Sequence, residues 1–144
     1  MQKPLLSASE QAQIVEAIRT AEMATSGEVR VHIEAFCPET DVLERAKEVF
    51  AELGMHRTDL KNGVLFYLAI NDRKFAVLGD QGINERVPDG FWNEVRDLMR
   101  YHFIKQAYGD GLGKGIVLAG EQLKTYFPRQ NNDINELPDD ISFG

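Results

Sequence analysis

One cysteine, Cys37, is all that 144 residues hold, so an internal disulfide is impossible. A cysteine-based zinc cluster is excluded on the same count. Cys37 stands between Phe36 and Pro38 at an expected strand end, where it reads as a small, half-buried apolar residue. Positive charge is scarce as well: 16 Lys and Arg face 23 Asp and Glu, for a net charge of -7. Such a balance argues against general affinity for nucleic acid or anionic membranes. No window approaches the roughly 20 apolar residues of a membrane span. Residues Met1 to Ser9 lack the apolar centre of a secretory leader. These absences together set the expectation of a cytoplasmic chain with no membrane span.

What is present fits one soluble domain. Hydrophobic residues make up 43% of the chain and charged residues 27%, enough for a sizeable core at this length. Ser7 with Glu10 has the spacing of a capping box, and Ile14, Val15, Ile18 and Ala21 then recur at helical intervals, which predicts a helix over 9–24. From Glu28 to Phe36 the pattern alternates. Val29, Val31, Ile33 and Ala35 face one way and Glu28, Arg30, His32 and Glu34 the other, the mark of a strand with one buried face near a sheet edge. His32 falls on the polar side, at the surface or against a neighbouring strand. Thr40-Asp41 opens a second helix with Leu43, Ala46, Val49, Phe50 and Leu53 as its stripe, and Gly54 ends it.

Residues 63–70 are apolar throughout, so both faces of that central strand are expected to be covered. Asn71-Asp72-Arg73 turns the chain and 74–79 returns as an antiparallel partner. An acidic loop spans 80–88. A third helix opens at Asp89-Gly90-Phe91-Trp92 and a fourth after Gly109, with Asp110 as its cap and Pro128 as its stop. Residues 1–128 thus read as one domain. Residues 129–144, rich in Asn, Asp and Pro, read as an acidic mobile tail with a docking segment at Ile141 to Phe143. The order α-β-α-β-β-α-α predicts an α/β fold: a small mixed sheet of three to four strands with helices on both faces.

That topology gathers carboxylates. The hairpin of 64–78 brings its outer ends together, and a parallel pairing of the first two strands adds the start of the first. Asp59, Asp80, Glu85 and Asp89 are therefore expected at one edge, with Asn84 as a further oxygen donor and Glu28 joining from the first strand. Grouped carboxylates repel unless a cation neutralises them. An oxygen-only set of irregular geometry favours Ca²⁺, with Mg²⁺ possible. Each residue also has a plain structural role open to it: Asp89 as a helix cap, Asp80 as a turn residue, Asp59 as a cap of its own loop, Glu85 as a solvated side chain. The spacing is not that of an EF-hand.

Catalytic and nucleotide motifs are missing. Cys37 is not followed by the arginine of a C-x5-R loop, and no D-x-D opens after an apolar strand. Arg57 and Arg86 flank the acidic edge as the groups available to steady phosphoryl charge. In Gly111-Leu112-Gly113-Lys114-Gly115 the lysine precedes glycine rather than Ser or Thr, so this is no phosphate-binding loop. Close helix packing through Gly111 and Gly115 explains it better, and no nucleotide is expected.

Four stretches carry a family resemblance. Ser26-Gly27-Glu28-Val29-Arg30-Val31, Asn62-Gly63-Val64-Leu65-Phe66, Gly79-Asp80-Gln81-Gly82-Ile83 and Gly109-Asp110-Gly111-Leu112, in that order, resemble the TPM domain of thylakoid lumen, photosystem II repair and receptor-modulator proteins. The likeness spans about 9–127. It implies a three-layer αβα sandwich of Rossmann-like appearance and two crossing loops near a divalent-metal site, often calcium. It also implies either an accessory, modulator role or, as proposed for the thylakoid branch, acid phosphatase activity. The expectation is a monomeric, stand-alone domain whose bound metal joins the 55–62 and 80–89 loops and shapes a surface for a protein partner, with metal-assisted hydrolysis of phosphate esters as the alternative.

Overall fold

Ser7 caps α1 (Ala8–Ala24) in a computed structural model that describes residues 5–129 and 136–144. Its hydroxyl accepts the Glu10 N–H at 3.0 Å while the Glu10 carboxylate accepts the Ser7 N–H at 3.1 Å. Two otherwise unpaired helix donors are satisfied reciprocally, as the spacing predicted. Asp41 caps α2 (Val42–Glu52) by accepting the Leu43 N–H at 3.0 Å. Gly54 follows this helix at φ 66°, the left-handed conformation that glycine takes freely, and a short turn of 3-10 helix occupies Met55–Arg57.

Strands β1 (Glu28–Glu34), β2 (Gly63–Ala69), β3 (Lys74–Gly79) and β4 (Ile141–Phe143) form one sheet in the order β3-β2-β1-β4. β1 runs parallel to β2 and to β4, and β3 is antiparallel to β2. Helices α1, α4 (Asn93–Ile104) and α5 (Tyr108–Leu123) cover one face, and α2 covers the other. Val29, Val31, Ile33, Val64, Phe66 and Leu68 supply the first core layer. Leu65, Tyr67 and Ala69 meet Ala46, Val49 and Phe50 in the second. The uninterrupted apolar run of β2 is thus buried on both faces, and the architecture is the three-layer α/β sandwich that the element order implied.

Four expectations change. β1 is not half-exposed at an edge: all seven of its residues are buried and β4 flanks it. Its polar side chains are covered by other polar groups, and alternation alone does not distinguish that case from exposure to water. The tail is not free over 136–144, because β4 docks as expected and Glu136 also donates its N–H to the Glu28 carboxylate at 2.6 Å. Residues 130–135 lie outside the described residues. The acidic loop contains a helix, α3 (Gln81–Asn84), of only four residues. Asp89 and Asp110 are not caps. α4 starts at Asn93 after Trp92, and α5 starts at Tyr108, so that Asp110 sits in its first turn and accepts from Gln13 Nε2 at 2.7 Å.

The glycines of α5 do what close packing requires. A Cβ on Gly115 would stand 2.6 Å from Cγ of Met99, and one on Gly111 would stand 2.6 Å from the Phe103 ring. α4 therefore lies against α5 at a distance that larger residues would forbid. Among the described residues no helix is long and apolar enough to cross a membrane.

Candidate metal centre

Register creates the site. Glu28 pairs with Gly63 and Val64 with Gly79, so the start of β1, the start of β2 and the end of β3 lie side by side. The loops of 55–62 and 80–89 leave from this edge and cross. The Asp80 N–H donates to the Gly63 carbonyl at 2.9 Å and the Gly82 N–H to the Lys61 carbonyl at 2.8 Å. A Cβ on Gly82 would lie 2.1 Å from the Leu60 carbonyl oxygen, so only glycine allows main chain to meet main chain here. The 55–62 loop is braced from within: Thr58, buried, accepts the Asn62 N–H on its hydroxyl at 3.2 Å.

Asp80 sits under the crossing and is 6% exposed. Its Oδ1 accepts the Gln81 N–H at 2.7 Å, capping α3, and lies 3.4 Å from Nδ1 of the exposed His56. Its Oδ2 is shut off from solvent and has no hydrogen-bond partner among the described residues. Beside Gly63, Asn62 repeats the pattern. Its Nδ2 donates to the Ser26 carbonyl at 3.1 Å, while its Oδ1 is buried and unpartnered. Leaving a buried acceptor unmade costs about 1–3 kcal/mol, more for a charged one, so each of these two oxygens calls for an explanation.

The other predicted ligands are placed differently. Asn84 is exposed and donates through Nδ2 to the Gly79 carbonyl at 3.2 Å. Glu85, exposed, accepts from Gln81 Nε2 at 2.9 Å. Asp59 is exposed, and its N–H donates to Glu136 at 3.3 Å. Asp89 is exposed and lines a separate depression with Asn84, Asn93 and Arg96. Glu28 is buried, held by Glu136 and hydrogen-bonded to Glu22; burial pushes its carboxyl upward. Among the described residues no three His, Cys, Asp or Glu side chains converge to hold a metal ion. Asp80 alone of the predicted acids has a free, buried oxygen. Asn62, not among the predicted residues, shares this property, and its position immediately before the apolar strand was there to be read. Arg86 lies 4.8 Å over the Phe127 ring, and the exposed Arg57 side chain runs beside Gly54.

A second polar set lies beyond the far end of β1. Arg45 grips Glu34 with two bonds of 2.9 Å, and the Tyr67 hydroxyl donates to the same carboxylate. Burial alone would raise Glu34; the Arg45 and Tyr67 hydrogen bonds outweigh it and hold the carboxyl down to about 2. His32 binds Ser142 of β4 at 2.9 Å, and its own burial lowers it.

The sequence matches the TPM domain family over residues 2–122. The chain belongs to the TPM domain family. Among solved structures it is similar to the BA42 protein of the psychrophilic bacterium Bizionia argentinensis, at 46% identity and a TM-score of 0.93, covering 100% of this chain and 99% of that one. It also shares its fold with the N-terminal domain of a protein from P. gingivalis, at 19% identity and TM-score 0.71, covering 89% and 82% of the two chains. The N-terminal domain of cg2496 from Corynebacterium glutamicum shows the same fold at 12% identity and TM-score 0.66, with 89% and 78% covered. No curated protein matches the chain. In this TPM domain the loops meet through Gly82 and Lys61, main chain against main chain, with Asp80 beneath them.

Proposed function

We propose that this TPM domain is a divalent-cation module in which Ca²⁺ at the loop crossing fixes the 55–62 and 80–89 loops for a protein partner. One observation carries the reading: the buried, unpartnered Oδ2 of Asp80. Oxygen donors outnumber nitrogen here: the Asp80 carboxylate, the Asn62 side chain and the Leu60 carbonyl stand against the exposed His56 imidazole, 3.4 Å from Asp80, a balance that suits calcium or magnesium better than zinc. A single carboxylate in the set favours weak binding, with a Kd of about 10⁻⁴ to 10⁻³ M. Leu60, half exposed beside the crossing, supplies an apolar contact for the partner.

Thermal unfolding tests this. Calcium at about 100 times its Kd stabilises a native state by about 2.7 kcal/mol if it binds only that state. The wild-type melting point is expected to rise with calcium and that of Asp80→Asn to stay flat. Equal responses of both proteins would remove Asp80 from the account. For the phosphatase alternative, Arg86 lies over the Phe127 ring and no contact among the described residues aims Arg57 at Asp80; release of phosphate from a model ester, lost in Asp80→Asn, would favour it.

A further inference from the structure

The opposite end of the sheet holds a cleft of about 420 Å³, far from the loop crossing in the topology and independent of the cation reading. Its size falls in the range of small-molecule sites, roughly 300–1,000 Å³. Phe75, Phe103 and Tyr108 form its aromatic wall, with ring centroids 5.1 Å apart for the first pair and 5.8 Å for the second. Ile104 stands on the rim, one of the most exposed large apolar residues of the chain.

The charge of this cleft runs against that of the chain. In a protein of net charge -7, its charged lining residues are two arginines, Arg73 and Arg100, and no carboxylate lines it. Arg100 lies over the Phe75 ring at 5.6 Å and 3.4 Å from Asp97. The Arg73 guanidinium, the Gln106 amide and the Tyr108 hydroxyl have no hydrogen-bond partner among the described residues.

Backbone conformation adds a separate indication. Among the described residues three non-glycine residues have left-handed φ, and two of them, Arg73 at 56° and Gln106 at 61°, line this cleft. Gln106 occupies the place after α4 where glycine is usual: its N–H bonds the Phe103 carbonyl at 2.9 Å and the Ala107 N–H bonds that of His102 at 3.0 Å. Glycine would take both positions without strain. Arginine and glutamine instead hold long polar side chains at the cleft.

We propose that this cleft binds a small organic anion with a flat aromatic body, of the aryl carboxylate or aryl sulfonate class. The ring packs among Phe75, Phe103 and Tyr108, and the anionic group meets Arg73 and the Gln106 amide, with Arg100 adding positive charge. Fixed cations beside an apolar wall select an aryl acid over its neutral analogue.

Amide NMR titration of the full chain with 2-naphthoate, and with 2-naphthamide as the neutral control, tests this. Saturable shifts are expected at residues 73, 75, 103, 106 and 108, with the amide about tenfold weaker, the effect of losing one charge-assisted hydrogen bond. Arg73→Gly relieves the backbone while removing the guanidinium, so it keeps the fold and is expected to bind the acid no better than the amide. Arg100→Gln is expected to weaken the acid alone. No saturable shift at millimolar ligand, equal binding of acid and amide, or undiminished binding by Arg73→Gly would each overturn the proposal. So would shifts that appear only with an acidic, aromatic-bearing peptide.

Discussion

Two buried carboxylates stand at opposite ends of the sheet and could hardly be treated more differently. Glu34, at the end of β1, receives two bonds from Arg45 and one from Tyr67. Asp80, after β3, has one oxygen used and the other shut away without a donor. A saturated carboxylate is part of the fold's own cohesion. An unsaturated one at the same depth lowers stability unless something binds it, a contrast that charge counting does not reveal.

Removing Glu34 is expected to give the largest effect. Glu34→Gln breaks a buried pair and leaves Arg45 poorly matched, at a cost of about 3–5 kcal/mol, read as a lower urea midpoint. The same carboxylate sets an acid limit. Its folded value lies near 2, below its ordinary 4.5, so its contribution is complete above pH 4.5 and is lost as pH falls toward 2. Acid titration of wild type and Glu34→Gln checks this, since the variant is expected to show a shallower loss. If Glu34→Gln proves no more harmful than Asp80→Asn in the absence of calcium, the comparison fails.

Next in size is Gly82→Ala. Its Cβ would press on the Leu60 and Lys61 carbonyls, so the loops must separate, at about 1–3 kcal/mol by analogy with overpacking. Loss of the calcium-dependent rise in melting point is expected with it. A Gly82→Ala protein of unchanged stability would show that the loops do not meet as described.

Glu22 gives a contrast of the opposite sign. Burial, then a hydrogen bond to Asp139, pushes its carboxyl up to about 9. Its protonated form fits the fold, so its contribution is present below pH 4.5 and lost as pH rises through about 9. Urea midpoints between pH 5 and pH 9 are expected to drift downward in wild type and less so in Glu22→Gln. The smallest effect on the calcium-free protein belongs to Asp80→Asn, under about 1 kcal/mol, because asparagine caps a helix as well as aspartate does.

Much of the fold was legible because its signals are local. The Ser7–Glu10 box, the Asp41 cap, the apolar run of β2 and the hairpin into β3 each need only a few neighbouring residues to specify them. β1 was misjudged because Arg30, His32 and Glu34 are buried by partners distant in sequence, among them Arg45 and Ser142, and no window of β1 contains those partners. α3 escaped notice because four residues are too few to show a helical period. At the candidate site the juxtaposition of the strand ends was legible, but the burial of each acid was not. Acidic character selects Asp59, Glu85 and Asp89 as readily as Asp80, whereas the property that sets Asp80 apart, an oxygen buried without a donor, arises from packing. Asn62 shares that property, carries no charge and so gave no signal in an argument based on carboxylates.

In the function proposed for this domain, a cation completes Asp80 where the loops cross. Amide NMR of metal-stripped protein, titrated with calcium, tests it most directly. Saturable shifts concentrated at residues 58–63 and 79–85, absent from Asp80→Asn and accompanied by no change around Glu34, are the predicted result. A flat titration, or shifts spread over the exposed acids and unaffected by Asp80→Asn, would contradict it.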